Sequence, residues 1–269
     1  GPAGMEAART LALRGHTVDL HEAQKRLGGQ VSLARMAPHR ADVGLIVDWL
    51  ANELAILGVD VHLNSMIDPD SIATIAPDEV ILATGVTPRD DGFQVSTPAE
   101  PIPGHALPHV YNSWDVFGSG RPAKIGQRAV VFDDTGTFEA ISVADMLLKA
   151  GASVTMVSRF EKLGETVPFP PVTVLAAKER LMSANFDFIG GHYLRAIDGE
   201  GVEAGVLFTP RSRRIAADTV VLVGFHHPNR ELIAELSKLG IPAHVVGDAL
   251  GRNDMMTAIH SGAETGRVI

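Results

Sequence analysis

The chain contains no cysteine, and this absence excludes several kinds of chemistry at once. Without thiolates, its own side chains can form no disulfide, supply no cysteine nucleophile and ligate neither an iron–sulfur cluster nor a cysteine-bound zinc ion. Any redox chemistry must therefore come from an organic cofactor.

Basic residues are too few for a typical nucleic-acid-binding protein. The chain has 23 Lys and Arg against 32 Asp and Glu, a net charge of −9. Binding to phosphates needs a basic face, so we expect no nucleic-acid partner. Long apolar runs are also missing: the run at 219–225 is far short of the roughly 20 residues that cross a bilayer. With no basic-then-apolar leader, we expect a soluble, cytoplasmic protein that does not bind membranes.

The usual signatures of metal and hydrolase sites are absent as well. The 11 histidines are scattered without metal-binding spacing, and the adjacent His226 and His227 would point to opposite sides of a strand. No Gly-x-Ser-x-Gly turn occurs. We therefore predict no metal site, and the sequence identifies no catalytic side chain.

What the chain does contain is one structural pattern that occurs twice. A glycine turn, a helix over 5–14 and a strand over 18–21 open the sequence, and a strand, a helix and a strand recur between 128 and 157. The letters LALRGHTV at 11–18 match LLKAGASV at 147–154. The repeat predicts an α/β protein with two Rossmann-like, doubly wound nucleotide-binding domains.

The first repeat carries the features of a dinucleotide site. Gly1 and Gly4 would let the backbone approach a pyrophosphate at the start of a helix, whose N-terminus attracts anions. Glu22 follows Gly4 by 18 residues and ends the next predicted strand, where an acid accepts hydrogen bonds from the adenosine ribose. Three later motifs extend this site. The complete set of candidate cofactor-binding residues is Gly1, Pro2, Ala3, Gly4, Glu22, Gly29, Gln30, Ala83, Thr84, Gly85, Gly247, Asp248, Thr257 and Ala258.

Several segments of the chain, taken in order, resemble those of a known family. They are GGQV at 28–31, ILATGVTPR at 81–89, and VLVG at 221–224 with PNREL at 228–232. The chain resembles the C-terminal half of the bacterial 2,4-dienoyl-CoA reductase and trimethylamine dehydrogenase family, the old-yellow-enzyme-like NADH:flavin oxidoreductases. This resemblance implies an FAD- or ADP-binding domain formed by 1–118 and 215–269, interrupted by an inserted NAD(P)-type domain at 119–214.

The same resemblance implies roles for individual residues. Gly1, Gly4 and Glu22 would hold the adenosine diphosphate end of the cofactor. Gln30 and Asp248, with Thr257 and Ala258, would lie along the ribityl and flavin end. The residues before Gly1 would supply the first strand of the fold and an additional glycine.

The second repeat departs from the pattern and leaves two interpretations open. Thr137 stands opposite Gly1 of the first repeat, and Asp133 and Asp134 bring carboxylates to the mouth of the site, which predicts a degenerate nicotinamide domain. Ser158 and Arg159, however, occupy the place of Glu22 and would suit the 2′-phosphate of NADP. NAD(P)H is therefore retained as an uncertain second cofactor.

The resemblance finally implies a function. It describes the FAD-dependent oxidoreductase portion of a larger flavoenzyme, relaying electrons between a dinucleotide cofactor and an FMN and 4Fe-4S half. That half, an N-terminal barrel of the same polypeptide, would reduce enoyl-type substrates or oxidise N-methylamine-type substrates. The alternative is a non-catalytic module that binds ADP for structure alone. Association into a homo-oligomer is compatible with either interpretation.

Overall fold

The computed structural model describes residues 1–167, 172–251 and 254–269, which form two compact units. The first unit comprises residues 1–35, 40–87 and 227–269, and the second unit comprises 36–39 and 88–226. The long segment 88–226 is thus inserted into the first unit.

Helices and strands alternate along most of the chain. The helices are α1 (Pro2–Leu13), α2 (Val31–Ala34), α3 (Leu45–Ile56), α4 (Pro69–Ile75), α5 (Ser113–Val116), α6 (Phe138–Lys149), α7 (Val172–Met182), α8 (Glu231–Lys238) and α9 (Met255–Val268). The strands are β1 (Asp19–Glu22), β2 (Asp60–Leu63), β3 (Val80–Leu82), β4 (Val86–Thr87), β5 (Val110–Asn112), β6 (Arg128–Asp133), β7 (Ser153–Ser158), β8 (Phe186–Ile189), β9 (His192–Asp198), β10 (Gly201–Val206), β11 (Ser212–Ala216), β12 (Thr219–Val223), β13 (His227–Pro228) and β14 (Ala243–Val245).

The first unit is built on strand pairs that α1 covers. β1 pairs in parallel with β2, β3 pairs in parallel with β14, and β4 pairs antiparallel with β13. Met5 and Ala8 of α1 are buried in a cluster that includes the partly buried Leu20 of β1. Gly4 lies between Leu20 and Ala83, because a Cβ at Gly4 would be 4.0 Å from Leu20 Cδ1 and 2.8 Å from Ala83 Cβ. The start of α1 is therefore fixed against both parallel pairs.

Helix α9 packs against α1 through positions that lack side chains. A Cβ on Gly262 would lie 2.1 Å from the carbonyl oxygen of Ala3, and one on Gly266 would lie 3.0 Å from the carbonyl oxygen of Ala7. The first distance is too short for a side-chain carbon and the second is at the lower limit of such contacts, so at Gly262 the two backbones can approach this closely only because the residue is glycine.

The second unit contains a five-stranded, all-parallel sheet in the order β5-β12-β6-β7-β8. Helix α6 packs on its central strands, and β9, β10 and β11 form an antiparallel meander. Apolar side chains from the sheet and the meander share one core. Its fully buried members include Val130, Phe132, Val157, Val202 and Val220.

The boundaries of the second unit lie outside the predicted insert at 119–214. Residues 88–118 and 215–226 belong to this unit because β5 and β12 hydrogen-bond to each other and β12 pairs with β6. The predicted boundary cut through that sheet, because the pairing of β5 with β12 joins residues about a hundred positions apart and leaves no local signal.

Across the described residues, no helix combines the length and the apolar character needed to span a bilayer.

The contact between α1 and α9 predicts the effect of adding one methyl group. Gly262→Ala places a Cβ against the Ala3 carbonyl, and the clash outweighs the roughly 1 kcal/mol that alanine gains over glycine in a helix. We expect the free energy of unfolding, measured in urea, to fall by about 2 kcal/mol. Gly199→Ala is the control, because a Cβ there meets no atom within 4 Å. Equal stability of the two variants would contradict the packing argument.

Candidate functional site

The first residue of α1 meets a second glycine from a distant turn. Gly1 caps the helix and Pro2 occupies its first turn. Gly29 adopts a φ of +52°, and a Cβ on it would lie 3.0 Å from the Cα of Gly1. The two backbones therefore touch without intervening side chains, which leaves bare peptide at the positive end of a helix, the setting that suits a phosphate group.

Glu22 brings a carboxylate to the same place. It is the last residue of β1, its Oε2 lies 3.6 Å from the Gly1 nitrogen, and its Oε1 accepts a hydrogen bond from the Gln24 backbone at 2.9 Å. Its side chain is 15% exposed. An acid at the end of the strand that follows the glycine helix is placed to bind ribose hydroxyls.

Gln30 and Asp248 form a second polar group at this site. The Gln30 amide donates to Asp248 Oδ2 at 2.6 Å, although 218 residues separate the two. Gly247 adopts a φ of +65°, and a Cβ there would lie 2.7 Å from the Cβ of Ala3. Its N–H donates to the Ser261 hydroxyl at 2.8 Å. These contacts hold the Gly247–Asp248 turn against the first turn of α1.

The Ala83–Thr84–Gly85 segment is held by Asn229, a residue that had no predicted role. The Thr84 hydroxyl donates to the Asn229 carbonyl at 2.6 Å, and the Asn229 amide donates back to the Thr84 carbonyl at 3.0 Å. Asn229 lies in one of the family-like motifs, which was the only sequence signal for it. The hydroxyl of Thr84 thus serves to hold the strand end in place.

Helix α9 begins beside the site and is capped by Asp254. The Asp254 carboxylate accepts hydrogen bonds from the Thr257 backbone at 2.8 Å and from its hydroxyl at 2.5 Å. Ala258 is buried in a small cluster with Ala3 and Val246. Thr257 therefore closes the first turn of α9, and Ala258 packs that turn against α1.

The predicted site residues of the first unit consequently divide into two groups. Glu22 and Gly29 lie against Gly1, and Gln30, next to Gly29, bonds to Asp248, whose neighbour Gly247 lies against Ala3. The others position these residues. This group is Pro2, Ala3, Gly4, Ala83, Thr84, Gly85, Gly247, Thr257 and Ala258. Bare backbone with an adjacent acid fits the adenosine diphosphate portion that FAD and ADP share.

The turn after β6 in the second unit corresponds to the turn before α1, but it contains an acidic side chain. Asp133 ends β6, is 1% exposed, and its Oδ1 accepts hydrogen bonds from the backbone N–H of Thr135 at 3.1 Å and of Gly136 at 2.7 Å. Its Oδ2 lies 3.4 Å from the donating Ser158 hydroxyl. Burial raises the pKa of Asp133. The Asp133 carboxylate therefore accepts the hydrogen bonds that the N–H groups of this turn donate.

Asp134 engages the other predicted phosphate ligand. Its Oδ1 lies 3.0 Å from Arg159 Nε, and its Oδ2 accepts from the Val95 backbone at 2.8 Å. The Arg159 guanidinium also lies 4.0 Å from the ring centre of Phe160. Burial raises the pKa of Asp134 to about 6. Ser158 and Arg159, predicted to bind an NADP phosphate, are thus bound to the acids of their own unit.

A third acid stands at the start of α6. The Thr137 hydroxyl caps the helix by accepting from the Glu139 backbone, and the Glu139 carboxylate accepts from the Ser113 hydroxyl. The other oxygen of this carboxylate, Oε2, lies 3.2 Å from His226 Nε2. A pyrophosphate placed here would meet Asp133 and Glu139, so a nicotinamide dinucleotide does not fit the residues present.

Other surface features lie apart from these sites. Clefts of about 520 and 390 Å³ run along β11 in the second unit and share Arg214 and Ala216. Asp19, Asp60 and His62 on β1 and β2 bring potential ligand atoms within 4.8 Å of one another, but they lie at the surface, and we assign no metal to them.

Two nucleotide-type folds, the first with bare backbone and an acid at the start of α1, define a Rossmann-type module. Residues 1–255 match the family described as pyridine nucleotide-disulphide oxidoreductase, and the chain belongs to this family of flavin-dependent oxidoreductases.

Curated relatives and solved structures give more detail. The chain is 32% identical to the NADH oxidase of Thermoanaerobacter brockii over 97% of its length and 39% of that protein. It is 31% identical to a probable N-methylproline demethylase of Rhizobium meliloti over 91% of the chain and 35% of that protein. The 6-hydroxypseudooxynicotine amine oxidase of Pseudomonas geniculata N1 superimposes with a TM-score of 0.90 and 30% identity, covering 99% of the chain and 40% of that protein.

These similarities confirm the resemblance to the C-terminal half of the old-yellow-enzyme-like flavoenzymes. The chain spans about two fifths of the length of the relatives it matches.

The buried Asp134 predicts a pH-dependent stability. Its pKa is 3.8 in the unfolded chain and about 6 in the folded protein, so the folded protein binds the proton more tightly. Protonation therefore stabilises the fold fully below pH 3.8, and this stabilisation is lost as the pH rises through 6. Asp134→Asn removes this loss. From pH 5 to 7.5 we expect the free energy of unfolding of the variant to rise by about 1 kcal/mol relative to the unmodified protein.

Asp198→Asn is the control in the same urea titrations. Arg214 lowers the pKa of Asp198 to about 2, so this group stays ionised in both states over that pH range and its variant should show no trend. A flat difference for Asp134→Asn would contradict the assigned burial effect.

Proposed function

We propose that this chain is the FAD-binding, electron-carrying portion of a larger flavoenzyme. The observation that supports the proposal best is the position of Glu22 and Gly29 at the start of α1, with the Gln30–Asp248 pair next to them in the chain turns that adjoin Gly1 and Ala3. The relatives include enzymes named as an NADH oxidase, a demethylase and an amine oxidase, each much longer than this chain.

The side chains around α1 would bind and orient the cofactor. The backbone at Gly1 and Gly29 would accommodate the pyrophosphate, helped by the α1 dipole, and Glu22 would accept hydrogen bonds from the ribose. The Gln30–Asp248 pair would face the more distal, ribityl part. FAD, when bound, supplies a ring system that accepts and releases electrons, so the chain needs no acidic or basic side chain for that step.

We further propose that the preceding part of the polypeptide is a barrel that carries FMN and a 4Fe-4S cluster. Substrate chemistry would occur there, as reduction of enoyl-type or oxidation of N-methylamine-type substrates. The absence of cysteine in this chain supports a cluster held elsewhere. Within the described residues, β1 pairs with β2 and β3 with β14, and α1 packs on both pairs. A strand contributed by the preceding residues would satisfy the remaining edges of β1 and β3.

A structural role for ADP is the second candidate. It is favoured by the observation that the hydroxyls of Thr84 and Thr257, which flank the predicted flavin end, form internal hydrogen bonds. The adenosine end is therefore the more completely formed part of the site. In that case the first unit would bind ADP and take no part in electron transfer.

Identification of the released nucleotide separates the two candidates. We expect the complete polypeptide that contains this chain to release FAD on denaturation, detected by flavin absorbance, chromatography and mass spectrometry. Release of ADP in its place would support the structural role. A preparation that contains neither nucleotide, and binds neither when supplied, would contradict both.

The role of Glu22 can be measured directly. Glu22→Gln removes the charge that favours the ribose hydroxyls, and loss of one such hydrogen bond corresponds to about a tenfold weaker affinity for FAD or ADP. Asp19→Asn, on the exposed start of the same strand, is the matched control and should bind normally. Titration calorimetry on the nucleotide-depleted protein gives both values. Equal affinities would show that Glu22 does not contact the cofactor.

A further inference from the structure

The family to which the chain belongs is named for pyridine nucleotides, and the second unit has the fold that would bind one. In such folds the backbone N–H groups that follow the first strand point at the phosphates. In this chain the N–H groups of Thr135 and Gly136 point at Asp133 Oδ1, at 3.1 and 2.7 Å.

Two hydroxyl groups complete the surroundings of this carboxylate. The Thr135 hydroxyl donates to Asp133 Oδ1 at 3.2 Å, and the Ser158 hydroxyl lies 3.4 Å from Oδ2. Asp133 is 1% exposed, and hydrogen-bond donors surround its carboxyl group as they would surround a bound phosphate. The backbone donors come from the turn after β6, which approaches the pyrophosphate in a dinucleotide fold, and the Ser158 hydroxyl comes from the end of β7, which approaches the ribose.

The rest of the potential phosphate site is engaged in the same way. Arg159 is paired with Asp134, and the start of α6 carries the Thr137 cap and the carboxylate of Glu139. A dinucleotide could enter only by displacing Asp133 and by lying beside two further acids, which like-charge repulsion opposes.

We propose that Asp133 is a built-in substitute for the phosphate of a pyridine nucleotide. Its carboxylate satisfies the N–H groups of the turn, so the second unit keeps a nucleotide-type turn without binding NADH or NADPH. The proposal is independent of whether the first unit holds FAD or ADP, because every residue it uses lies in the second unit.

Rescue by an added anion tests the proposal. Asp133→Ala leaves the turn N–H groups without their acceptor, and we expect the thermal midpoint of the complete polypeptide to fall. Inorganic phosphate at millimolar concentration should then raise the midpoint of this variant by about 2 to 4 °C more than that of the unmodified protein. Asp133→Asn, which keeps an acceptor oxygen, should show a smaller fall and a smaller rescue.

Asp145→Ala is the matched control, because Asp145 is also a buried acid of the second unit but lies within α6 and pairs with Arg180 of α7. We expect it to lose stability with no rescue by phosphate. Equal rescue of the two alanine variants, or no rescue of Asp133→Ala, would overturn the proposal.

A titration with NADPH provides a second test, which leaves Asp133 unchanged. We titrate NADPH into the unmodified protein and into Arg159→Ala by calorimetry. Because the second unit should not bind NADPH, we expect the two titrations to be the same. Saturable NADPH binding that weakens at least tenfold in Arg159→Ala would overturn the proposal.

Discussion

The close approach of α1 to its neighbours is the constraint on which the first unit depends. At Gly4, Gly29, Gly247 and Gly262 an added Cβ would come within about 3 Å of another residue. Each of these contacts fixes the start of α1 against a different part of the chain. The polar groups of the site are held by the same turns, so the packing of small residues and the position of Glu22 and Asp248 cannot be separated.

The two units show how few side chains decide what a nucleotide-type turn contains. In the first unit the helix begins at glycine and the acid lies one strand away, at Glu22. In the second unit the helix begins after Thr137, and the acid Asp133 lies inside the turn. The same backbone plan thus presents bare N–H groups in one case and a filled pocket in the other. The difference arises from charge placement, and both folds remain intact.

Local sequence periodicity predicted the longer helices and strands well, but it failed for elements that are defined by pairing with another part of the chain. The repeat predicted a strand, a helix and a strand between 128 and 157, where the structure has β6, α6 and β7, because apolar spacing and the terminating Gly151 act within a few residues. It missed β11, an exposed strand with two arginines that is defined only by pairing with β10. The glycines and acids of the site were predicted from their spacing. Their partners Asn229 and Ser261 were missed because those contacts join distant parts of the chain.

The pairing of β4 with β13 has a consequence for how the inserted segment is tolerated. Thr87 lies opposite His227, and Asn229 bonds to both Thr84 and Thr87, so the chain leaves the first unit and returns to it at neighbouring positions. The inserted residues therefore form a loop whose two ends are neighbours in the first unit. The entropic cost of closing such a loop grows only slowly with its length. This geometry lets an entire domain be exchanged, shortened or diversified during evolution while the host domain retains its own connectivity.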